Sequence, residues 1–377
     1  MAIRAETGFS LKDQLFNAET VAALASNLEQ AWPRFDRRAY EQAVLKQFPA
    51  LELKARIHCL VEALGEHLPR RFDHALRILR DALPPPLDPT RTDDDFGESI
   101  WSVPGEYVAR HGCTPDRVDA ALAFLRDATQ RFTAESPIRP FLLTFPDATC
   151  SFVQNCTTDA NYHVRRLASE GIRPYLPWAQ RVELPVPFVL DVLDRLHADS
   201  TRYVTRSVAN NLNDLSRKSP DAVIAALHRW REAKRQQADE LAWMTRHATR
   251  TLAKAHHPAA MALMGYADDA HVTLHRFTAN AQVRVGDTLT VSASLTPEAD
   301  QKLKLLLRVD FLKANGRHAG KTFALKEVDA RAGERLTLTK RIAFRPATTR
   351  TLYPGRHHVA LLANGQELAT RTFDLVV

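Results

Sequence analysis

The chain has 377 residues, of which 45% are hydrophobic and 25% are charged, and its formal net charge at pH 7 is +7. These values are typical of globular proteins, and the length predicts two or three domains rather than one. No run of about 18 apolar residues occurs, and the N-terminal stretch MAIRAETGFSLKDQLF has no continuous apolar region, so we expect neither a transmembrane helix nor a secretory signal.

Up to about residue 265, apolar residues recur with the 3.6-residue period of amphipathic helices. The clearest predicted helices are LELKARIHCLVEALGEHL (51–68), RRFDHALRILRDAL (70–83), PDRVDAALAFLRDATQRF (115–132), VPFVLDVLDRLH (186–197) and DAVIAALHRWREAK (221–234). The segment PPPLDPTRTDDDFG (84–97) is predicted to be a surface loop, because its four prolines are incompatible with a helix.

Three of the helical segments align at a spacing of 40 residues: DANYHVRRLASEGI (159–172), DSTRYVTRSVANNL (199–212) and DELAWMTRHATRTL (239–252). Each begins with an aspartate, which we expect to cap the first N–H groups of a helix. Apolar residues at equivalent positions form one stripe in each segment. A two-helix unit of about 40 residues is typical of HEAT repeats, which stack into an α-solenoid with the second helices lining its concave face.

Arginine recurs at one position of this repeat, at Arg166, Arg206 and Arg246. Because the units stack, we expect these side chains to form a basic row along the concave face. Such arginines can also form a ladder with the aspartates of neighbouring repeats, and for Arg165 that alternative stays open.

From about residue 271 the pattern alternates with period two, and turn sequences such as Val-Gly-Asp and Tyr-Pro-Gly separate the segments. About seven antiparallel strands in an immunoglobulin-like sandwich are predicted. We therefore expect a HEAT-like domain over 1–268 and an Ig-like domain over 269–377.

The positive charge is unevenly distributed. Residues 271–377 contain 17 Lys and Arg against 9 Asp and Glu, and residues 131–256 contain 18 against 13. Two basic regions suit a polyanion such as nucleic acid, although a solvated basic surface remains the alternative. The four cysteines form no CxxC motif, and the paired histidines have no partners at ligand spacing, so we expect reduced thiols in the cytoplasm, no metal and no cofactor.

Candidate site residues stand where the repeat does not require them. Glu170 aligns with Asn210 and Arg250, and Trp178 follows in EGIRPYLPW as either a rigid aromatic platform or a core residue at a repeat junction. Asp214 stands at the C-terminal end of its helix, where the helix dipole disfavours an anion. Glu135 is a further isolated acid. The sequence contains no glycine-rich phosphate loop, Ser/His/Asp order or metal signature.

The motif VRR-x-A-x-E-G-x-R-P-x-L-P-W (164–178), in a HEAT-like solenoid, resembles the HEAT-repeat alkylpurine DNA glycosylases of the AlkC/AlkD family. The C-terminal Ig-like sandwich makes the chain similar to the AlkC branch, and the absence of a Trp–x–x–x–Asp arrangement on one helix agrees with this. The resemblance covers the whole chain.

The resemblance implies bacterial base-excision repair in the nucleoid. It implies hydrolysis of the N-glycosidic bond of cationic alkylated bases in duplex DNA, chiefly N3-methyladenine and also N3-methylcytosine, without base flipping. Catalytic carboxylates would be Glu170, Asp214 and Glu135, and Trp178 would contact the lesion nucleotide. The expected phosphate contacts are Arg165, Arg166, Arg173, Arg206, Lys218, Arg246 and Lys254. We expect a monomer that binds double-stranded DNA and no membrane. A non-catalytic DNA-binding or protein scaffold is the alternative.

Overall fold

The computed structural model describes residues 10–88, 90, 96–267, 269–345 and 351–377, in which sixteen α-helices precede eight β-strands. The helices are α1 (Leu11–Leu15), α2 (Ala18–Ala31), α3 (Arg37–Leu45), α4 (Leu53–His67), α5 (Phe72–Asp81), α6 (Ser102–Gly112), α7 (Val118–Ala128), α8 (Arg139–Thr144), α9 (Pro146–Cys156), α10 (Tyr162–Glu170), α11 (Val186–Leu196), α12 (Arg202–Leu215), α13 (Pro220–Ala233), α14 (Ala238–Ala248), α15 (Arg250–Lys254) and α16 (Pro258–Leu263). None of these helices is long and apolar enough to cross a membrane.

The five clearest predicted helices correspond to α4, α5, α7, α11 and α13. The predicted loop is non-helical at 84–88 and at 96–97, while residues 89 and 91–95 lie outside the described residues.

The 40-residue repeat is confirmed in the packing of the helices. Helices α10, α12 and α14, the second helices of successive units, pack side by side, and α9, α11 and α13 contribute the first helices. The repeated apolar stripe is buried, as at Val164, Ala168, Val204, Val208, Leu212, Met244 and Ala248. Each unit therefore buries its stripe against its neighbours, as expected of stacked helical repeats.

The predicted capping role of the repeated aspartates was wrong for the first two units. Asn161 caps α10 by accepting a hydrogen bond from the His163 N–H, and Asp159 lies two residues earlier. Asp159 and Asp199 instead accept the N–H two residues ahead, as in an Asx-turn, which shapes the loop before the helix.

The β-strands are β1 (Val272–Ala279), β2 (Gln282–Arg284), β3 (Thr288–Pro297), β4 (Gln301–Leu312), β5 (His318–Ala330), β6 (Leu336–Ala343), β7 (Gly355–Ala363) and β8 (Gln366–Val376). They form a three-stranded sheet, β1-β3-β6, and a five-stranded sheet, β2-β8-β7-β4-β5. The Ig-like architecture is confirmed. The expectation of purely antiparallel pairing was wrong for the short β2, which pairs in parallel with β8.

The core of the β-region follows the predicted alternation. Inward side chains of successive strands are buried together, including Leu289, Val291, Leu295, Leu305, Leu307, Val309, Leu361 and Phe373. The chain divides into two compact units, Met1–Ala248 and Thr249–Val377, so α15 and α16 belong with the strands. The predicted boundary at 268/269 falls at residue 268, which lies outside the described residues.

Candidate active site

Five charged side chains of the first unit form a continuous array, in the order Glu135, Arg166, Glu170, Arg173 and Asp214. The Nη1 of Arg166 lies 2.6 Å from Glu135 Oε2, and its Nη2 lies 3.6 Å from Glu170 Oε1. Arg173 donates from Nη1 to Glu170 Oε1 at 2.6 Å and from Nε to Asp214 Oδ2 at 3.0 Å. The three predicted catalytic carboxylates thus lie together.

The stacked repeats bring these residues together. Glu170 is the last residue of α10, and Asp214 lies in the last turn of the neighbouring α12. A glycine must follow Glu170, because a Cβ at Gly171 would lie 2.8 Å from Ile138 Cγ2 and 2.9 Å from the Leu167 carbonyl oxygen. The close approach of the chain here explains the Glu-Gly pair of the motif.

The Glu170 carboxylate is buried but well supplied with donors. Ser207 on α12 donates its hydroxyl to Glu170 Oε2 at 2.6 Å. Burial disfavours the charged form, but the guanidinium groups of Arg166 and Arg173 outweigh this effect and hold the pKa of Glu170 below its ordinary value. Glu170 is therefore ionised at neutral pH.

Asp214 has the opposite environment although it shares Arg173. Burial raises the pKa of the Asp214 carboxyl above its ordinary value, and the opposing attraction of Arg173 does not cancel that effect. Two neighbouring carboxyl groups with pKa values pushed in opposite directions are typical of acid–base sites. Within the described ranges, no group of three or more His, Cys, Asp or Glu side chains is placed to hold a metal ion.

Arg166 links the array to an aromatic cluster. Its guanidinium carbon lies 4.7 Å from the centroid of the Tyr203 ring and 5.7 Å from that of Phe96, and the Thr133 hydroxyl accepts a hydrogen bond from Nη1 at 2.7 Å. Arg166 and Arg173 are both buried. Their partners lie inside the protein, so the phosphate contacts predicted for them are not available in this arrangement.

Arg139 was missed by the sequence reasoning. Its side chain is fully buried at the start of α8 and donates from Nη1 to the Gly171 carbonyl and from Nη2 to the Arg173 carbonyl, each at 2.8 Å, and from Nε to the Gln180 carbonyl. Burial, with the repulsion of Arg173, lowers the pKa of Arg139 to about 10, so it stays charged at neutral pH. An arginine between Ile138 and Pro140 was the available clue. Arg139 fixes the backbone on either side of the motif's tryptophan segment.

Trp178 is 76% exposed, which rules out the alternative of a core tryptophan. Its φ of 61° lies in the left-handed region, which is rare for a bulky residue and commonly marks a functional segment. The Lys54 side chain donates a hydrogen bond to the Trp178 carbonyl oxygen. The ring is thus presented to solvent on a backbone held from α4 and α8.

Arg165 pairs with an aspartate of a neighbouring repeat, which is the alternative that the sequence left open. Its Nε donates to Asp199 Oδ2 at 2.5 Å, and its Nη1 donates to the carbonyl oxygens of Asp159 and Ala160. In the preceding unit, Arg126 pairs with Asp159 in the same way, at 2.5 Å. These pairs form the arginine–aspartate ladder of the stacked repeats, so Arg165 is bonded within the protein rather than presented to phosphate.

Replacement of Arg165 by methionine is expected to lower the free energy of unfolding of the first unit by about 2 kcal/mol, because it leaves the buried Asp199 carboxylate without its cation. All five tryptophans precede residue 244, so urea denaturation followed by tryptophan fluorescence reports on this unit.

The control is Arg110→Met, which breaks an exposed ion pair with Glu62 and should change stability by less than about 1 kcal/mol. Equal losses in the two variants would contradict a structural ladder at Arg165.

The remaining predicted phosphate contacts are more accessible. Arg246 and Lys254 are exposed, and Arg206 is partly buried. Lys218 is exposed but pairs with Glu183 at 2.5 Å. Lys254 belongs to the second unit, whereas the other three belong to the first.

Three side chains beside the array were not among the predicted site residues. The guanidinium carbons of Arg181 and Arg217 lie 5.3 Å and 5.0 Å from the centroid of the Tyr175 ring. Arg217 follows α12 three residues after Asp214, and Tyr175 is two residues beyond Arg173. Only the folded chain brings the two arginines to one ring.

Comparison with known proteins agrees with this architecture. The family model described as the C-terminal Ig-like domain of the uncharacterised protein YhaZ matches residues 273–377. YhaZ of Bacillus subtilis (strain 168) is 32% identical over 359 residues, which cover 94% of this chain and 96% of YhaZ. The structure of the Pseudomonas fluorescens alkylpurine DNA glycosylase AlkC, bound to DNA containing an abasic site analogue, is 32% identical with a TM-score of 0.82. That match covers 98% of this chain and 100% of AlkC.

The helical repeats, the buried carboxylate array and the Ig-like unit define a protein of the class of HEAT-repeat DNA glycosylases in architecture. The chain belongs to the AlkC/AlkD family, in the AlkC branch with its C-terminal Ig-like domain.

Proposed function

We propose that the chain is a DNA glycosylase that hydrolyses the N-glycosidic bond of cationic alkylated bases, N3-methyladenine and N3-methylcytosine, in duplex DNA without base flipping. It would act in base-excision repair in the bacterial cytoplasm, at the nucleoid, as a monomer. The similarity over nearly the whole chain to a glycosylase bound to DNA supports this proposal. The observation that carries it is the carboxylate–guanidinium array, which brings three carboxylates together and shifts the pKa values of Glu170 and Asp214 in opposite directions.

The chemistry suits this array. In hydrolysis, the bond between the sugar C1′ and the base nitrogen breaks, and its electron pair leaves with the base. A cationic base becomes neutral as it leaves, so it needs little help from a general acid. Positive charge then develops on the sugar, and water adds to C1′ and loses a proton. Preorganised carboxylates stabilise such an oxocarbenium-like transition state.

Each carboxylate has a role that its environment favours. Glu170, held ionised by Arg166 and Arg173, would stabilise the cationic sugar. Asp214, with its raised pKa, would orient the water and accept its proton. The Glu135 side chain is 22% exposed, more than the other two, and would face the incoming nucleotide. Trp178 would contact the lesion nucleotide with its exposed ring.

Base release is expected to decrease at acid pH as Asp214 becomes protonated. Because burial raises the Asp214 pKa, the decrease should begin at a higher pH than for an ordinary aspartate. Single-turnover rates measured across acid pH check this. Asp214→Asn should remove most of the activity at every pH. An unchanged rate with Asp214→Asn would exclude Asp214 as the base.

DNA would be held by cations that are at least partly exposed rather than by the buried ones. We propose Arg206, Lys218, Arg246 and Lys254 as phosphate contacts, with the basic Ig-like unit assisting. Arg166 and Arg173 would support the carboxylates, and Arg165 the repeat stack.

Arg246→Ala is expected to weaken binding to all duplex sequences alike and to reduce the slope of log K against log salt by about one, because one phosphate contact is lost. Fluorescence anisotropy at several salt concentrations measures both quantities. Arg38→Ala, at an exposed arginine of α3, serves as the control with the same charge change. An unchanged slope for Arg246→Ala would remove this residue from the interface.

The proposed function is tested by incubating the protein with methylated duplex DNA and separating the released bases by chromatography. Free N3-methyladenine is expected, with none from undamaged DNA. A 2-aminopurine at the lesion site should stay quenched on binding if the base remains stacked. Salt-dependent DNA binding without base release would favour the alternative, a non-catalytic scaffold.

A further inference from the structure

Arg181 and Arg217 differ from the arginines of the neighbouring repeats in that no carboxylate forms a direct ion pair with them. Arg126, Arg165 and Arg173 are all paired with acids. In the described part of the chain, neither Arg181 nor Arg217 makes an ion pair, and both are exposed. Asp214 and Glu183 act on Arg217 and Arg181 only through space, so the N–H groups of both guanidinium groups stay available to an anion from solvent.

The Tyr175 ring orients both guanidinium groups. The distances of 5.3 Å and 5.0 Å from the ring centroid are within the range of cation–π contact. A stacked guanidinium keeps its N–H groups free for hydrogen bonds, and it loses less freedom on binding because its plane is already oriented. The half-buried Tyr175 is itself held between Pro174 and Leu176, in a segment stiffened by Pro177.

The backbone that carries these residues is tied to the carboxylate array. Arg139 restrains this segment through two hydrogen bonds. It donates to the Gln180 carbonyl, directly before Arg181, and to the Arg173 carbonyl, two residues before Tyr175. Arg217 lies two residues beyond the end of α12 and three residues after Asp214. The position of the two cations is therefore coupled to that of the carboxylates.

We propose that Arg181, Tyr175 and Arg217 form a phosphate clamp that binds the DNA backbone next to the lesion nucleotide. This inference rests on the proposed function for its ligand. Guanidinium groups bind phosphate oxygens through paired N–H donors, whereas the arginines of the carboxylate array are buried and already bonded to carboxylates. The clamp would hold the phosphate of the strand whose sugar faces Glu170 and Asp214.

The test measures the affinity of the full chain for duplex DNA containing an abasic-site analogue, by anisotropy over a range of salt concentrations. Arg181→Gln with Arg217→Gln is expected to weaken binding about tenfold or more and to reduce the salt slope by about two. Tyr175→Leu removes the ring without changing the charge, and it should weaken binding about threefold to tenfold through lost orientation of the guanidinium groups.

Arg34→Gln with Arg38→Gln makes the same charge change at two exposed arginines outside the clamp, and this matched control should bind with the wild-type affinity. Tyr175→Phe, which keeps the ring, should retain the affinity that Tyr175→Leu loses. Circular dichroism verifies that each variant is folded. Wild-type affinity and salt slope in the double arginine variant would overturn the clamp, and wild-type affinity in Tyr175→Leu would overturn the role of the ring. The two proposals can fail separately. If the variants bind DNA more weakly but the wild-type protein releases no base, the clamp is supported and the proposed function is rejected.

Discussion

Glu170→Gln is expected to reduce base release by about 10²-fold to 10³-fold while DNA affinity stays within about twofold of the wild type. Glutamine preserves the shape of the side chain and can still accept the Ser207 hydrogen bond. It removes the negative charge that Arg166 and Arg173 keep in place, and with it the proposed stabilisation of the cationic sugar. Single-turnover release of N3-methyladenine from methylated duplex DNA measures the rate, and anisotropy measures the affinity.

The control for this change is Glu232→Gln, at an exposed glutamate of α13, which alters the net charge equally. It should release base at the wild-type rate. The thermal midpoint of Glu170→Gln shows whether the variant is folded at the assay temperature. Retained base release in a folded Glu170→Gln protein would reject Glu170 as a catalytic carboxylate.

Arg139→Met is expected to lower the free energy of unfolding of the first unit by about 3 kcal/mol or more. The substitution leaves the carbonyl oxygens of Gly171, Arg173 and Gln180 without their donor, and each buried unsatisfied group costs about 1–3 kcal/mol. Base release should fall as well, because the segment that carries Arg173 and Trp178 loses its anchor. Urea denaturation followed by tryptophan fluorescence measures the stability.

Arg38→Met, at an exposed arginine, is the matched control and should change stability by less than about 0.5 kcal/mol. Arg139→Lys retains the charge but cannot reach three carbonyls at once, so an intermediate loss is expected. An unfolding midpoint in Arg139→Met equal to that of the wild type would show that the three hydrogen bonds contribute nothing to the fold.

Local patterns predicted most of the architecture. The helices α4, α5, α7, α11 and α13 and the Ig-like strands follow from periodicity, because each element buries one face. The 40-residue repeat predicted the side-by-side packing of α10, α12 and α14. The helix N-caps were predicted less accurately. Asp159 and Asn161 can both accept a hydrogen bond from a backbone N–H group, and only the loop geometry selects between them.

The candidate site depended more on the fold. Glu135, Glu170 and Asp214 were predicted as separate acids, and the structure connects them through Arg166 and Arg173, which had been expected to contact phosphate. The sequence alone does not distinguish an arginine that faces DNA from one that faces a buried carboxylate. Its partner depends on which side chains approach it from other repeats.

The sequence by itself determined the solenoid of helical repeats, the Ig-like sandwich and the unusual segment EGIRPYLPW, because these depend on periodicity and on residues close together in the chain. Only the tertiary structure decided that Arg165 joins the ladder, that Arg139 anchors the segment from 32 or more residues away, and that Trp178 is exposed. The physical reason is that burial and ion pairing are set by contacts between stacked units, and the stacking depends on all the units together.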